Sequence, residues 1–169
     1  DGKVSNYIHD EVQEGARLLI SAPAGDFVLD TDKLTPVVLM SGGVGVTPMI
    51  SMLNTVIEKQ PEREVTFIHA AQNGNVHAYR NHVANAAEKF ANVKSYVFYD
   101  APNADDVYDV KGYVTADWLR DNVSASDADF YFCGPFPFMK SVNNSLRELG
   151  VDTNRIHFEF FGPKGDLEN

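Results

Sequence analysis

From about residue 35 the apolar positions alternate between two periods. Val37-Val38-Leu39-Met40 is a continuous apolar run between Pro36 and Gly42-Gly43, the pattern of a strand buried on both faces of a parallel sheet. From Thr47 to about Glu58, Met49, Ile50, Leu53, Val56 and Ile57 recur at helical spacing. The alternation continues with a strand over Val65–Ala70, a helix over Ala78–Phe90, a strand over Val93–Tyr99 and a helix from Thr115 to Asn122. Phe130–Cys133 reads as another buried strand, Phe136–Leu149 as a helix ended by Gly150, and Arg155–Phe160 as the strand that closes the sheet. Asp100–Gly112, rich in Asp, Pro and Asn, reads as a surface loop. Repeated βαβ units predict an α/β fold: a doubly wound, parallel, five-stranded sheet with helices on both faces and a ligand crevice at the carboxyl ends of its strands.

Residues 1–34 stand outside this alternation. Val4, Ile8 and Val12 share one helical face, with Ser5 available as a cap, and Arg17–Ser21 reads as a strand. The turn Pro23-Ala24-Gly25-Asp26 and a second strand, Phe27–Leu29, follow. One helix and two strands cannot bury themselves. The expectation is therefore a domain boundary near Thr31–Pro36, with 1–34 the end of one domain and 35–169 a second. A start at Asp1, inside what reads as a domain, suggests a piece of a longer chain.

Composition narrows the class. At 44% hydrophobic and 22% charged residues, the chain is of ordinary globular type rather than disordered or fibrous. No apolar run is long enough to span a bilayer and no segment reads as a signal peptide, so no membrane partner is expected. The formal net charge of −10 argues against nucleic acid, which requires a basic face. A single cysteine, Cys133, cannot form an internal disulfide and fits a reducing cytoplasm.

The strongest chemical signal is Ser41-Gly42-Gly43-Val44-Gly45-Val46-Thr47-Pro48-Met49, between a buried strand and an amphipathic helix. Glycines let backbone approach a phosphate closely, Thr47 is a candidate cap, and Pro48 suits the first helical turn. N–H groups at such a helix start suit a pyrophosphate. Pro48 stands where the usual dinucleotide fingerprint has its third glycine, a departure from the dehydrogenase type of loop. An ordinary tight turn is the competing reading.

Gly43-x-Gly45-x-x-Pro48, followed by Cys133-Gly134-Pro135 at the end of a later strand, resembles the ferredoxin-NADP reductase superfamily. Within it, the chain resembles the C-terminal reductase region of the flavohemoglobins. The resemblance is carried by Gly2–His9, Ala22–Phe27, His69–Ala78, Tyr131–Pro135 and the ending His157-Phe158-Glu159-Phe160-Phe161-Gly162-Pro163. It implies that residues 1–34 are a remnant of a β-barrel flavin domain and that the rest is the NAD(P)-binding domain. The implied whole is a cytoplasmic nitric oxide dioxygenase in which NADH or NADPH reduces FAD, and FAD passes electrons to haem in a globin domain outside this chain.

The resemblance also implies roles for single residues. Gly43, Val44, Gly45, Val46, Thr47 and Pro48 cradle the dinucleotide pyrophosphate, and Cys133, Gly134 and Pro135 border the nicotinamide. Glu159 tunes the flavin–nicotinamide site, and Cys133 packs and orients the ring there. Phe160, Phe161, Gly162 and Pro163 form the flavin wall, and Ser5 contacts the flavin pyrophosphate. Each has a plainer reading: a buried inert thiol, a solvent-facing glutamate, core aromatics, a helix cap. The tail 164–169 departs from the family ending.

His69, His77 and His82 do not have the spacing of a helical metal site, and no metal is expected. His69 reads as a residue lining the cofactor crevice. Ala70–Tyr79 contains neither Arg nor Lys, while Gln72-Asn73 offers neutral hydrogen bonds, so NADH is favoured over NADPH, with Arg80 as the complication. Two rivals remain at this stage: a reductase component feeding an iron–sulfur protein or oxygenase, and a nucleotide-sensing module without redox chemistry.

Overall fold

In the computed structural model, which describes residues 2–161 and 167, the run Val37–Gly42 forms β1, buried along its whole length. A 3-10 turn at Gly43–Gly45 leads into α2 (Val46–Lys59), preceded in the chain by α1 (Lys3–Glu11). There follow β2 (Val65–Ala71), a 3-10 turn at Gly74–Val76, α3 (Arg80–Lys89), β3 (Val93–Tyr99), β4 (Val110–Lys111) and α4 (Ala116–Asn122). β5 (Asp129–Cys133), α5 (Phe136–Glu148) and β6 (Ile156–Glu159) complete the order.

All strand pairs are parallel, in the order β4-β3-β2-β1-β5-β6. The chain winds outward from β1 through β2 and β3 to β4, then returns to the other side of β1 for β5. The direction of winding thus reverses between β1 and β5, which is where a doubly wound sheet opens its ligand crevice. One face is covered by α2 and α3, through Met49, Leu53, Val56, Val83 and Ala86 on Leu39, Phe67, Tyr131 and Cys133. The other is covered by α4 and α5, through Leu119, Met139, Val142 and Leu146 on Met40, Ile68, Phe98, Phe130 and Phe132.

The five expected strands form, and a sixth arises within the segment expected to be loop. β4 pairs its two residues with Phe98 and Tyr99, and hydrogen bonds from Asp109 N to Val97 O and from Gly112 N to Tyr99 O lay the segment along the sheet edge. α3 starts two residues later than expected because Tyr79 is left-handed (φ 60°), which no helix interior accommodates. Thr115 caps α4 by accepting the Trp118 N–H, and Gly150 at φ 72° follows α5.

The N-terminal expectations are corrected in three respects. α1 forms, but Gly2 is its N-cap residue and Ser5 lies inside the first turn, so Ser5 is not the cap. Residues 17–21 and 27–29 form no strands: among the described residues no strand pairs with them, and a strand without a ladder partner has no place for most of its N–H and C=O groups. Leu19 and Ile20 are accordingly exposed, whereas Phe27 and Leu29 pack against the α2 face of the core.

A polar clasp fixes the chain where it enters the sheet. The buried Arg63 guanidinium donates to Thr35 O (2.7 Å), Asp30 O (2.9 Å) and Gln60 Oε1 (3.1 Å), with Asp129 3.8 Å away. Gln60 Nε2 donates to Thr31 O (2.8 Å) and Lys33 O (2.9 Å). Thr35 Oγ1 donates to Asp129 Oδ2 (2.6 Å), and Asp30 N donates to Tyr131 Oη (3.2 Å).

Candidate functional site

The loops after β1 and β5 are built against each other. In the register, Ser41 of β1 stands beside Cys133 of β5, so the two strands end together. Gly43 has φ +51°, open to glycine and strained for most other residues. A Cβ on Gly45 would lie 2.1 Å from Cys133 O, and one on Gly134 would lie 2.7 Å from the Phe138 ring and 2.9 Å from Gly42 N. The glycines thus let two backbones touch at the point where the winding reverses.

α2 begins at Val46, one residue before the expected start, and its N-terminal turn faces this junction. Thr47 is not the cap: its hydroxyl donates to Val44 O (3.2 Å), and the preceding 3-10 turn, ending at Gly45, takes the cap position. Val44 and Thr47 are exposed and Pro48 is half-buried in the first turn, so the face they share is open to a ligand. A helix start with its dipole suits an anion, although the Val46 N–H here turns back to the Gly43 and Val44 carbonyls.

Cys133 is fully buried, and burial, reinforced by the charge of Glu159, pushes its thiol up to about 11. It is therefore a neutral packing group near pH 7 and not a nucleophile. Glu159 is its register partner on β6, half-buried. Gly134 is half-buried and Pro135 exposed. Beyond Glu159, Phe160 stacks on Phe136 (centroids 6.3 Å apart), and Phe158 meets Phe160 edge-on at 5.6 Å. Phe161 is 55% exposed, a large apolar surface for a residue next to a glycine junction. The expected Gly162 and Pro163 lie outside the described residues. Among the described residues, Ser5 on exposed α1 has no hydrogen bond or ring contact that brings it to this cluster.

The histidines separate. His82 bonds Asn54 on the outer face of α2 and α3 (2.8 Å). His69 and His77 stack 4.3 Å apart; His69 bonds Ser41 Oγ (2.8 Å) and His77 bonds Tyr99 Oη (2.7 Å). Burial lowers His69 to about 3, with His77 adding to it, and burial and Arg80 lower His77 to about 4. Both are neutral at pH 7. His69 is buried and lines a cavity of about 180 Å³ between β2, β3, α3 and residues 107–109. Among the described residues no three His, Cys, Asp or Glu side chains are grouped to hold a metal ion.

Two features escape sequence reasoning. Asp106 reaches from the segment after β3 to accept N–H bonds from Gly74 (3.0 Å) and Asn103 (2.8 Å), which hold its carboxyl below the usual carboxylate range. Only the acidity of that segment hinted at it. Arg63, within Glu62-Arg63-Glu64, looks like part of a solvated charge run and is in fact buried.

Comparison with known proteins agrees with this geometry. Residues 39–144 match the oxidoreductase NAD-binding domain family. A flavohemoprotein of Bacillus thuringiensis subsp. konkukian (strain 97-27) is 52% identical over 99% of this chain and 43% of its own length. The chain thus spans less than half the length of the curated relatives it matches. The flavohem-like FAD/NAD binding domain of nitric oxide dioxygenase from Vibrio cholerae O1 biovar El Tor superposes with a TM-score of 0.84 at 38% identity, covering 96% of this chain and 65% of that one. A flavohemoglobin from Malassezia yamatoensis with bound FAD and heme gives 0.72 at 28% identity, over 84% and 36%. The similarity to flavohemoproteins runs the length of the chain, and the glycine loop and the Cys133 loop both fall within the matched domain. The chain belongs to the oxidoreductase NAD-binding domain family.

Proposed function

We propose that this chain is the dinucleotide-binding part of a flavin reductase, taking NADH across Gly43–Pro48 and Cys133–Pro135 and presenting its nicotinamide to FAD held by a neighbouring barrel domain. The supporting observation is the backbone contact between Gly45 and Cys133 at the switch point, with Glu159 beside Cys133 in the register. The residues fit both groups. Gly43, left-handed with open space where a Cβ would stand, suits a pyrophosphate approached by backbone, and the stacked Phe136 and Phe160 suit a flat ring.

When bound, NADH supplies a hydride and FAD accepts it, chemistry that needs two rings held close and water excluded rather than a protein base. The loop Gly43–Pro48 would seat the phosphates, with the exposed Val44 and Thr47 on its open face. Cys133, neutral and fully buried, packs behind the Gly134-Pro135 loop that would border the nicotinamide. Glu159 places a carboxylate beside Cys133, and Phe160 and Phe161 cover the site until the dinucleotide enters. Residues 1–34 belong to the flavin domain in this reading, with Ser5 in the first turn of α1 and the boundary near Thr31–Pro36. Asp106 and the neutral pair Gln72-Asn73 favour NADH over NADPH.

In the longer protein the electrons pass to haem in a globin domain, and the product of nitric oxide and dioxygen is nitrate, in the cytoplasm. This part draws on the likeness to flavohemoproteins, which also favours it over a reductase serving an iron–sulfur protein or oxygenase. The test is anaerobic mixing of the full-length polypeptide with NADH: flavin absorbance near 450 nm is expected to bleach, followed by haem reduction. Flavin that stays oxidised overturns the reading, and bleaching without any haem in the chain favours the alternative.

A further inference from the structure

We propose that Gln60 and Arg63 are positioning residues for hydride transfer, holding the strap 30–35 so that the flavin domain meets the dinucleotide domain at one fixed angle. This rests on the reading above, in which the strap joins those two domains.

A connection that merely links domains is solvated and makes few bonds. This one is exposed over 31–35 yet densely bonded. Two side chains take four of its carbonyls, those of Asp30, Thr31, Lys33 and Thr35, at 2.7–2.9 Å. Its Asp30 N–H goes to Tyr131, its Thr35 hydroxyl to Asp129, and Lys33 Nζ lies 3.6 Å from Asp129. Phe27 and Leu29 continue the attachment on the core. Arg63 is 1% exposed, and burying a guanidinium is costly enough that an apolar side chain often serves stability as well or better. What Arg63 supplies is a fixed path for the strap, which an apolar residue cannot supply.

The placement gives that path leverage. Arg63 precedes β2, and Asp129 opens β5 at its amino end. Cys133 closes the same strand at the other end, roughly 13 Å away at about 3.3 Å per residue. A rotation of about 5° at the strap shifts the nicotinamide loops by about 1 Å relative to the flavin, and a misplacement of that size can slow a reaction by about 100-fold. The clasp thus acts on the reaction without touching either ligand.

The experiment uses the full-length, flavin-loaded polypeptide with Gln60→Met, which keeps side-chain volume but removes the donors to Thr31 and Lys33. Arg63→Lys, which keeps the cation and loses the forked contact, is the second variant. The readouts are the rate of flavin reduction at saturating NADH, the NADH dissociation constant, flavin content and Tm. The expected result for Gln60→Met is a roughly tenfold or greater fall in the reduction rate, with NADH affinity and flavin content within twofold of the parent. Arg63→Lys is expected to lose rate in the same sense. An unchanged rate in Gln60→Met overturns the proposal, as does a loss that tracks falling NADH affinity or flavin content, which marks a merely structural role. A parent protein that fails to reduce its flavin overturns the functional reading itself; a competent parent with an equally fast Gln60→Met variant overturns only the positioning role.

Discussion

Gly45 and Cys133 meet backbone to backbone: a methyl group on Gly45 would stand 2.1 Å from the Cys133 carbonyl oxygen. Since main chain can yield only by separating the β1 and β5 loops, Gly45→Ala is expected to lower stability by about 1–3 kcal/mol, as overpacking does. It should also weaken NADH binding at least tenfold. Thermal unfolding with an NADH titration checks both; a variant that binds like the parent shows that the junction is not the pyrophosphate cradle.

The Cys133 thiol should be inert. With a folded value of about 11 against an ordinary 9, it is protonated through pH 8, and iodoacetamide should label the folded chain far more slowly than the unfolded chain. The sign for stability follows. The raised value leaves stability intact below pH 9 and erodes it as pH rises from 9 toward 11, where the unfolded thiol ionises and the folded one does not. Rapid labelling at pH 8 without unfolding contradicts this.

His69 should make the fold acid-sensitive. Its folded value of about 3 lies below the unfolded 6.5, so its contribution is complete above pH 6.5 and is lost as pH falls toward 3. Between pH 6.5 and 5 this amounts to on the order of 1–2 kcal/mol. Denaturant titrations of the parent and His69→Gln at both pH values check it: the variant should show a smaller drop, whatever its starting stability.

Asp106 sets a carboxylate against the Gly74 N–H just past β2, close to the Arg80 guanidinium, where the adenosine ribose of a dinucleotide seated on the β1 loop would lie. Asp106→Asn is expected to tighten NADPH binding several-fold while changing NADH binding little. Parallel titrations with both dinucleotides decide it. A parent chain that already prefers NADPH contradicts the NADH assignment altogether.

The 169-residue chain by itself should bind NADH weakly and retain no flavin through gel filtration, since its described residues offer the flavin only one aromatic wall. Stoichiometric yellow flavin on the purified chain overturns this.

The sheet and its helices were legible because β1, β2 and β5 are buried on both faces and α2 packs one side: continuous apolar runs and a helical stripe leave few alternatives. The glycine loop was legible for the same reason, since its strand and helix neighbours were. Thr47 and Ser5 were misread as caps because a 3-10 turn and Gly2 preceded them, and neither leaves a side-chain pattern in sequence. Residues 17–21 and 27–29 have the apolar runs of short strands, but a run cannot supply a pairing partner. Arg63 and Asp106 were invisible because their partners are backbone groups up to 33 positions away. Sequence spacing records neighbours along the chain, not carbonyls across a sheet.

The contact between the two glycine-bearing loops has a thermodynamic consequence. Gly45 and Cys133 are separated by most of the domain in sequence, so their junction exists only when the β1–β5 interface is closed. A dinucleotide laid across both loops binds the closed sheet and not the open chain. It acts as a reversible staple, raising the unfolding temperature in proportion to the logarithm of its concentration. On the proposed reading, a rising dinucleotide concentration would lengthen the time this domain stays folded.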